Sequence, residues 1–121
     1  MVEGFVDVAG VDEVPERDPL GVQAHGYRVA LFRTAEGFSA LWSRCPHAGG
    51  PLDEGYVKDG VVACPWHGSM FRVDDGECLA GPATEGAQAF DVEVTGGRIL
   101  VGPPPPGMEP PPPSLFDLTG G

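Results

Sequence analysis

The chain has 121 residues, 41% of them hydrophobic, which suits one domain and leaves too little for a second with its own core. Its apolar runs are too short to span a membrane, and the opening MVEGFVDVAG carries no basic start, apolar stretch or twin arginine, so a cytoplasmic location is expected. With 18 acidic against 7 basic residues the formal net charge is −11, which argues against nucleic acid as a partner and leaves solubility, or the steering of a basic partner protein, as its use.

From residue 4 to 102, short apolar stretches are broken by turn signals every eight to twelve residues, and no helical stripe is sustained. YRVALFR (27–33) sets Tyr27, Val29 and Leu31 against Arg28, Ala30 and Phe32; both sets are partly apolar, as in a strand covered on both faces. GFSALW (37–42) follows the turn TAEG and is predicted to be its hairpin partner. DGVVAC (59–64) and SMFRV (69–73) flank a Pro/Gly-rich turn, and DDG at 74–76 is a tight-turn signal. AQAFDVEVTGGRILVG (87–102) reads as a closing hairpin, with Phe90, Val92 and Val94 alternating with polar residues and TGG turning the chain. The predicted fold class is all-β: a small antiparallel β-sandwich or barrel with two loops at one end. After Gly102 the composition changes to PPPPGMEPPPPSLFDLTGG, with eight prolines between positions 103 and 113. Such a segment cannot join a sheet and is expected to be extended and solvated. The division is therefore a domain at 1–102 and a Pro-rich flexible tail at 103–121, in which Leu115, Phe116 and Leu118 could anchor a docking motif.

The chemistry-bearing residues concentrate in two stretches, CPHAGG (45–50) and CPWHGS (64–69). Each holds one cysteine and one histidine inside a Pro/Gly turn, and 16 residues separate His47 from Cys64. An odd count of three cysteines does not make a disulfide framework, and cysteine paired with histidine at short spacing points to metal. Two thiols and two imidazoles could form a tetrahedral structural zinc site or hold an iron–sulfur cluster. Cys78, in DDGECLAG, has no histidine close in sequence and reads as a buried or half-buried thiol. His25, in the polar turn QAHGY, reads as an ordinary surface residue.

The pattern C-x-H, about sixteen residues, C-x-x-H resembles the Rieske signature, and the similarity to Rieske proteins extends over roughly residues 3–101, through the glycine after His67, the DDGEC turn and the GPAT segment at 81–84. The resemblance implies one [2Fe–2S] cluster, with Cys45 and Cys64 on the inner iron and His47 and His67 on the outer iron. With two histidines in place of two cysteines, the cluster is less negative and takes up an electron more readily, which places the reduction potential within roughly −150 to +300 mV rather than near about −400 mV. In Rieske proteins the outward imidazole nitrogens can couple electron and proton gain and provide an exit to a docked partner. His47 and His67 are the candidates for that contact. The respiratory branch of the family has two further cysteines that clip the loops together; here Gly50 and Trp66 occupy those positions. Ser69 matches a serine that hydrogen-bonds a cluster sulfide in that branch, whereas Phe71 replaces its tyrosine, so a low-to-intermediate potential is expected. Trp66, Pro46, Leu52 and Met70 are expected to shield the cluster or to serve as packing.

The chain contains no phosphate loop, no dinucleotide fingerprint and no room for a second, substrate-oxidising iron site. The resemblance therefore implies a monomeric one-electron carrier without a substrate site of its own, passing electrons from a flavoprotein reductase to a terminal oxygenase. The alternatives are the small subunit of an assimilatory nitrite reductase and, in another class, a structural zinc-binding interaction module. Zinc sites usually pair like with like in each half, whereas each loop here mixes cysteine and histidine.

Overall fold

The computed structural model describes residues 4–35, 37–44, 51–66, 68–81 and 86–106. Among them are eleven short strands: β1 (Val6–Gly10), β2 (Leu20–Ala24), β3 (Tyr27–Thr34), β4 (Gly37–Trp42), β5 (Tyr56–Lys58), β6 (Val61–Ala63), β7 (Met70–Arg72), β8 (Cys78–Ala80), β9 (Ala89–Phe90), β10 (Val92–Thr95) and β11 (Arg98–Val101). Two single turns of 3₁₀ helix, Val11–Glu13 and Leu52–Glu54, are the helical pieces among the described residues. All pairings are antiparallel and form three sheets, ordered β1-β11-β10, β2-β3-β4-β9 and β5-β6-β7-β8. This is the all-β antiparallel fold that the turn spacing predicts.

The middle sheet separates two apolar cores, and β3 supplies both. Side chains along a strand point alternately to opposite faces. Val29 and Leu31, with Tyr27, therefore join Ala9, Ala40, Phe90, Ile99 and Val101 on the side of β1, β10 and β11. Ala30 and Phe32 join Leu41, Leu52, Val62, Cys64, Phe71 and Val73 on the side of β5 to β8. The mixed apolar pattern of YRVALFR is thus that of a strand buried on both faces. The hairpin with β4 pairs Thr34 with Gly37 and Val29 with Trp42, as TAEG predicts.

The expected closing hairpin is divided between two sheets. β10 and β11 pair as predicted, from Val92 opposite Val101 to Thr95 opposite Arg98. Ala89 and Phe90 instead pair with Leu41 and Ala40 of β4, and the chain changes sheet at Asp91. Phe90 is buried in the core of β1, β10 and β11 and Val92 packs against it, so the predicted alternation holds as far as Val92, whereas Val94 is 47% exposed. At DDGEC, Gly76 donates its N–H to the Arg72 carbonyl at 2.7 Å and the Asp75 carboxylate accepts the Glu77 N–H at 3.0 Å. The GPAT residues 82–84 and the tail from residue 107 onward lie outside the described residues.

Candidate metal centre

The second Cys/His stretch begins at the end of β6 and returns as β7. The register Val62 opposite Phe71 and Ala63 opposite Met70 leaves residues 64–69 as the connection. It closes with the Cys64 N–H donating to the Ser69 carbonyl at 2.8 Å and the Gly68 N–H donating to the Cys64 carbonyl at 3.0 Å. Gly68 has a φ of +75°, a left-handed conformation that glycine adopts without a steric penalty. Cys64 is 2% exposed and belongs to the core cluster of Val62 and Phe71, at the end of the β6–β7 pairing. Ser69 is fully buried, and Gly81 covers it so closely that a Cβ at position 81 would stand 2.5 Å from the Ser69 Cα.

The first stretch leaves β4 through Ser43 and Arg44 and re-enters the described structure at Pro51. Three of the four candidate ligands, Cys45, His47 and His67, lie outside the described residues, as does Pro46. The described residues fix the frame around them. Leu52, at the downstream end of the first loop, is fully buried in the same cluster as Cys64. Gly55 approaches β6 so closely that a Cβ there would be 2.4 Å from the Ala63 carbonyl oxygen, one residue before Cys64. Both loops are therefore anchored on one apolar base. A buried thiol on that base, with a cysteine and a histidine in each loop, is the donor chemistry of a Rieske [2Fe–2S] group, so the residues fit it.

The flanks of the first loop carry a polar device of their own. The Asp53 side chain is 4% exposed and that of Arg28 is 55% exposed. Arg28 donates to Asp53 Oδ2 from Nη2 at 2.7 Å and from Nε at 3.1 Å. The Ser43 hydroxyl donates to Asp53 Oδ1 and accepts the Asp53 backbone N–H at 2.8 Å. Burial alone would raise the Asp53 carboxyl, but the hydrogen bonds from Arg28 and Ser43 and the positive charge of Arg28 outweigh it and hold the group below the usual carboxylate range.

Other candidate residues are placed as follows. Trp66 is 57% exposed and Met70 is 44% exposed, so both present apolar surface outward beside the second loop, whereas Leu52 is core packing. Phe71 is fully buried. Cys78 is half-buried against the same core, as expected, with its Sγ 3.9 Å from the Ala80 carbonyl oxygen. His25 is not an unpartnered surface residue. Its Nε2 lies 3.2 Å from the Val101 carbonyl oxygen, a contact across 76 positions that local spacing does not reveal. Sequence reasoning also missed Asp53, Ser43 and Arg28 for the same reason: the three come from separate elements. Among the described residues no group of three or more His, Cys, Asp or Glu side chains gathers as a second metal site.

Comparison with known proteins agrees with this frame. Residues 4–93 match the Rieske [2Fe-2S] domain. The ferredoxin component of a naphthalene 1,2-dioxygenase system of Pseudomonas aeruginosa is 29% identical over 101 residues, covering 84% of this chain and 97% of the relative. The ferredoxin of carbazole 1,9a-dioxygenase from Nocardioides aromaticivorans IC177 superposes with a TM-score of 0.79 at 31% identity, over 84% of this chain and 99% of that one. A chain in a complex of reduced oxygenase and oxidized ferredoxin of carbazole 1,9a-dioxygenase gives a TM-score of 0.76 at 27% identity, over 84% and 94% of the two chains.

Proposed function

Because the chain belongs to the Rieske [2Fe-2S] domain family, we propose that it is the ferredoxin component of an oxygenase system, a one-electron carrier between a flavoprotein reductase and a terminal oxygenase. The observation that carries this reading is the match along nearly the whole length of free-standing dioxygenase ferredoxins. The [2Fe–2S] cluster supplies a single electron-accepting and electron-releasing centre. Cys45 and Cys64 would hold one iron by thiolate, and His47 and His67 would hold the other by imidazole. Cys64 anchors its ligand atom in the apolar core, which excludes water from one side, while the neighbouring Trp66 and Met70 offer apolar area for a transient partner contact. Ser69, fully buried at the end of the same turn, is the candidate donor to a cluster sulfide. The curated sequence relatives compared are ferredoxin components of dioxygenase systems, which favours a carrier over a nitrite reductase subunit and an iron–sulfur cluster over structural zinc. Among the described residues no helix is long and apolar enough to cross a membrane, in keeping with a carrier working in the cytoplasm.

The test is an electron paramagnetic resonance spectrum of the dithionite-reduced protein with iron and acid-labile sulfide analysis. A rhombic signal of low average g, two irons and two sulfides per chain, and reduction by a flavoprotein reductase are expected. A colourless, silent protein with stoichiometric zinc, or tight co-purification with a sirohaem protein, would overturn the proposal. Substituting His47 or His67 by alanine should abolish that spectrum, and its survival would remove that residue from the ligand set.

A further inference from the structure

The buried carboxylate of Asp53 occupies a place that the cluster ligands alone do not require. Ser43 and Asp53 flank residues 44–52, the segment that contains Cys45 and His47. Their side chains bond each other, and the Ser43 hydroxyl also receives the Asp53 backbone N–H, so the segment is closed at its base by two hydrogen bonds. Arg28 then fastens the closure to β3 through two bonds to the same carboxylate. Ser43 itself continues the β3–β4 ladder, its N–H donating to the Arg28 carbonyl at 2.8 Å.

Space has been left for this arrangement. At Gly21 of β2, a Cβ would fall 2.4 Å from Asp53 Oδ2 and 2.7 Å from Arg28 Nη2, so any larger residue displaces the ion pair. The φ of Gly21 is not in the left-handed region, and room for the pair is therefore what the missing side chain provides. On the far side, Leu52 and Gly55 bind the same 3₁₀ turn to the core of Cys64 and to the strand that leads into it. Strands β2, β3 and β6 and the flanking residue Ser43 thus meet at the one turn 52–55.

We propose that Asp53 is a positioning residue for the iron–sulfur centre: with Ser43 and Arg28 it forms a noncovalent clasp that sets the geometry of the first ligand loop and couples it to the second. The inference rests on the assignment of Cys45 and His47 as ligands. A buried carboxylate that receives charge-assisted hydrogen bonds from two elements is costly to disturb, because removing it leaves Arg28 and Ser43 without their acceptor.

The experiment uses the cluster-loaded full chain and follows iron release to a ferrous chelator after reduction, the visible circular dichroism of the cluster, and its midpoint potential. The variants are Asp53→Asn, Asp53→Ala, Ser43→Ala and Gly21→Ala, with Arg98→Gln as the control that breaks the exposed Arg98–Asp7 pair on β11 and β1. Asp53→Ala and Gly21→Ala are expected to release iron about tenfold faster, at the lower end of the effect of losing a supporting partner of a metal ligand. Both should shift the cluster dichroism, with Asp53→Asn and Ser43→Ala in between. Asp53→Asn should also raise the potential, since it removes a negative charge. The control should match the unsubstituted protein. Release rates and dichroism unchanged in Gly21→Ala and Asp53→Asn would overturn the clasp, as would effects that merely track the urea midpoint across all variants including the control. If Asp53→Ala does not fold, the other three variants decide. An unsubstituted protein without two irons per chain, or one that keeps its cluster in His47→Ala, would instead sink the ligand assignment, so the two failures are distinct.

Discussion

At the scale of single residues, Asp53 shows how burial and pairing compete. Desolvation favours the neutral acid, yet hydrogen bonds from Arg28 and Ser43 and the charge of Arg28 favour the carboxylate more strongly. A carboxyl held below its unfolded value of about 3.9 stabilises the fold at pH above that value, and the contribution disappears as pH falls through the folded value. Asp53→Asn should therefore lie well below the parent in urea midpoint at pH 6, and the gap should narrow by pH 3. A gap independent of pH would mean that the pairing contributes shape but no charge energy. Arg98, by contrast, is exposed and pairs with exposed Asp7, so Arg98→Gln is expected to change stability little at either pH.

Among the elements, β3 carries the most structural consequence, because its two faces belong to different cores. Truncating Phe32 removes a fully buried aromatic ring from the core beneath Cys64, and truncating Leu31 removes a fully buried side chain from the other. Phe32→Ala should cost about 3 to 5 kcal/mol and Leu31→Ala about 2 to 5 kcal/mol in denaturant unfolding, since each removes a fully buried side chain from a core. Val94→Ala on β10, a half-exposed position, should stay within about 0.5 kcal/mol. Equal costs at Leu31 and Val94 would contradict the two-core arrangement. The division also explains the break at Asp91. Phe90 follows Ala89 onto the edge of the middle sheet, where its ring lies 6.0 Å from Tyr27, while Val92 starts the pairing with β11. Strand β7 plays the corresponding role for the second loop, with Phe71 packed inward and Met70 outward.

For the molecule as a whole, charge is the dominant property. Of the seven cations, Arg28, Arg72 and Arg98 each stand against a carboxylate, and the 18 acidic residues outnumber the basic ones to give the net −11. A surface of this charge would draw in a basic partner face by long-range attraction, which salt screens over about 10 Å at 0.1 M. The second-order rate of electron transfer from a reductase should fall as ionic strength rises, while the reduction potential moves little. Stopped-flow reduction at a series of salt concentrations checks this. A rate that is flat or rises with salt would mean that docking rests on apolar contact, for which Trp66 and Met70 are the exposed candidates.

Some of this was decided by local order in the chain. Turn signals between short alternating runs specify antiparallel strands, because a two-residue period can bury only what the next strand covers, and the β3–β4 hairpin and TGG turn follow from nearest neighbours. The paired Cys/His stretches stand out in the chain as a candidate metal-ligand set, since residue type and spacing are local properties. Contacts between residues far apart in sequence were decided only by the tertiary structure. The sheet change at Asp91, the bond from His25 to Val101, and the meeting of Gly21, Arg28, Ser43 and Asp53 arise from how three sheets stack. No periodicity encodes such meetings, because the energy of a buried carboxylate depends on which elements exclude water around it and supply its donors, and that is settled when the sheets close over the two cores.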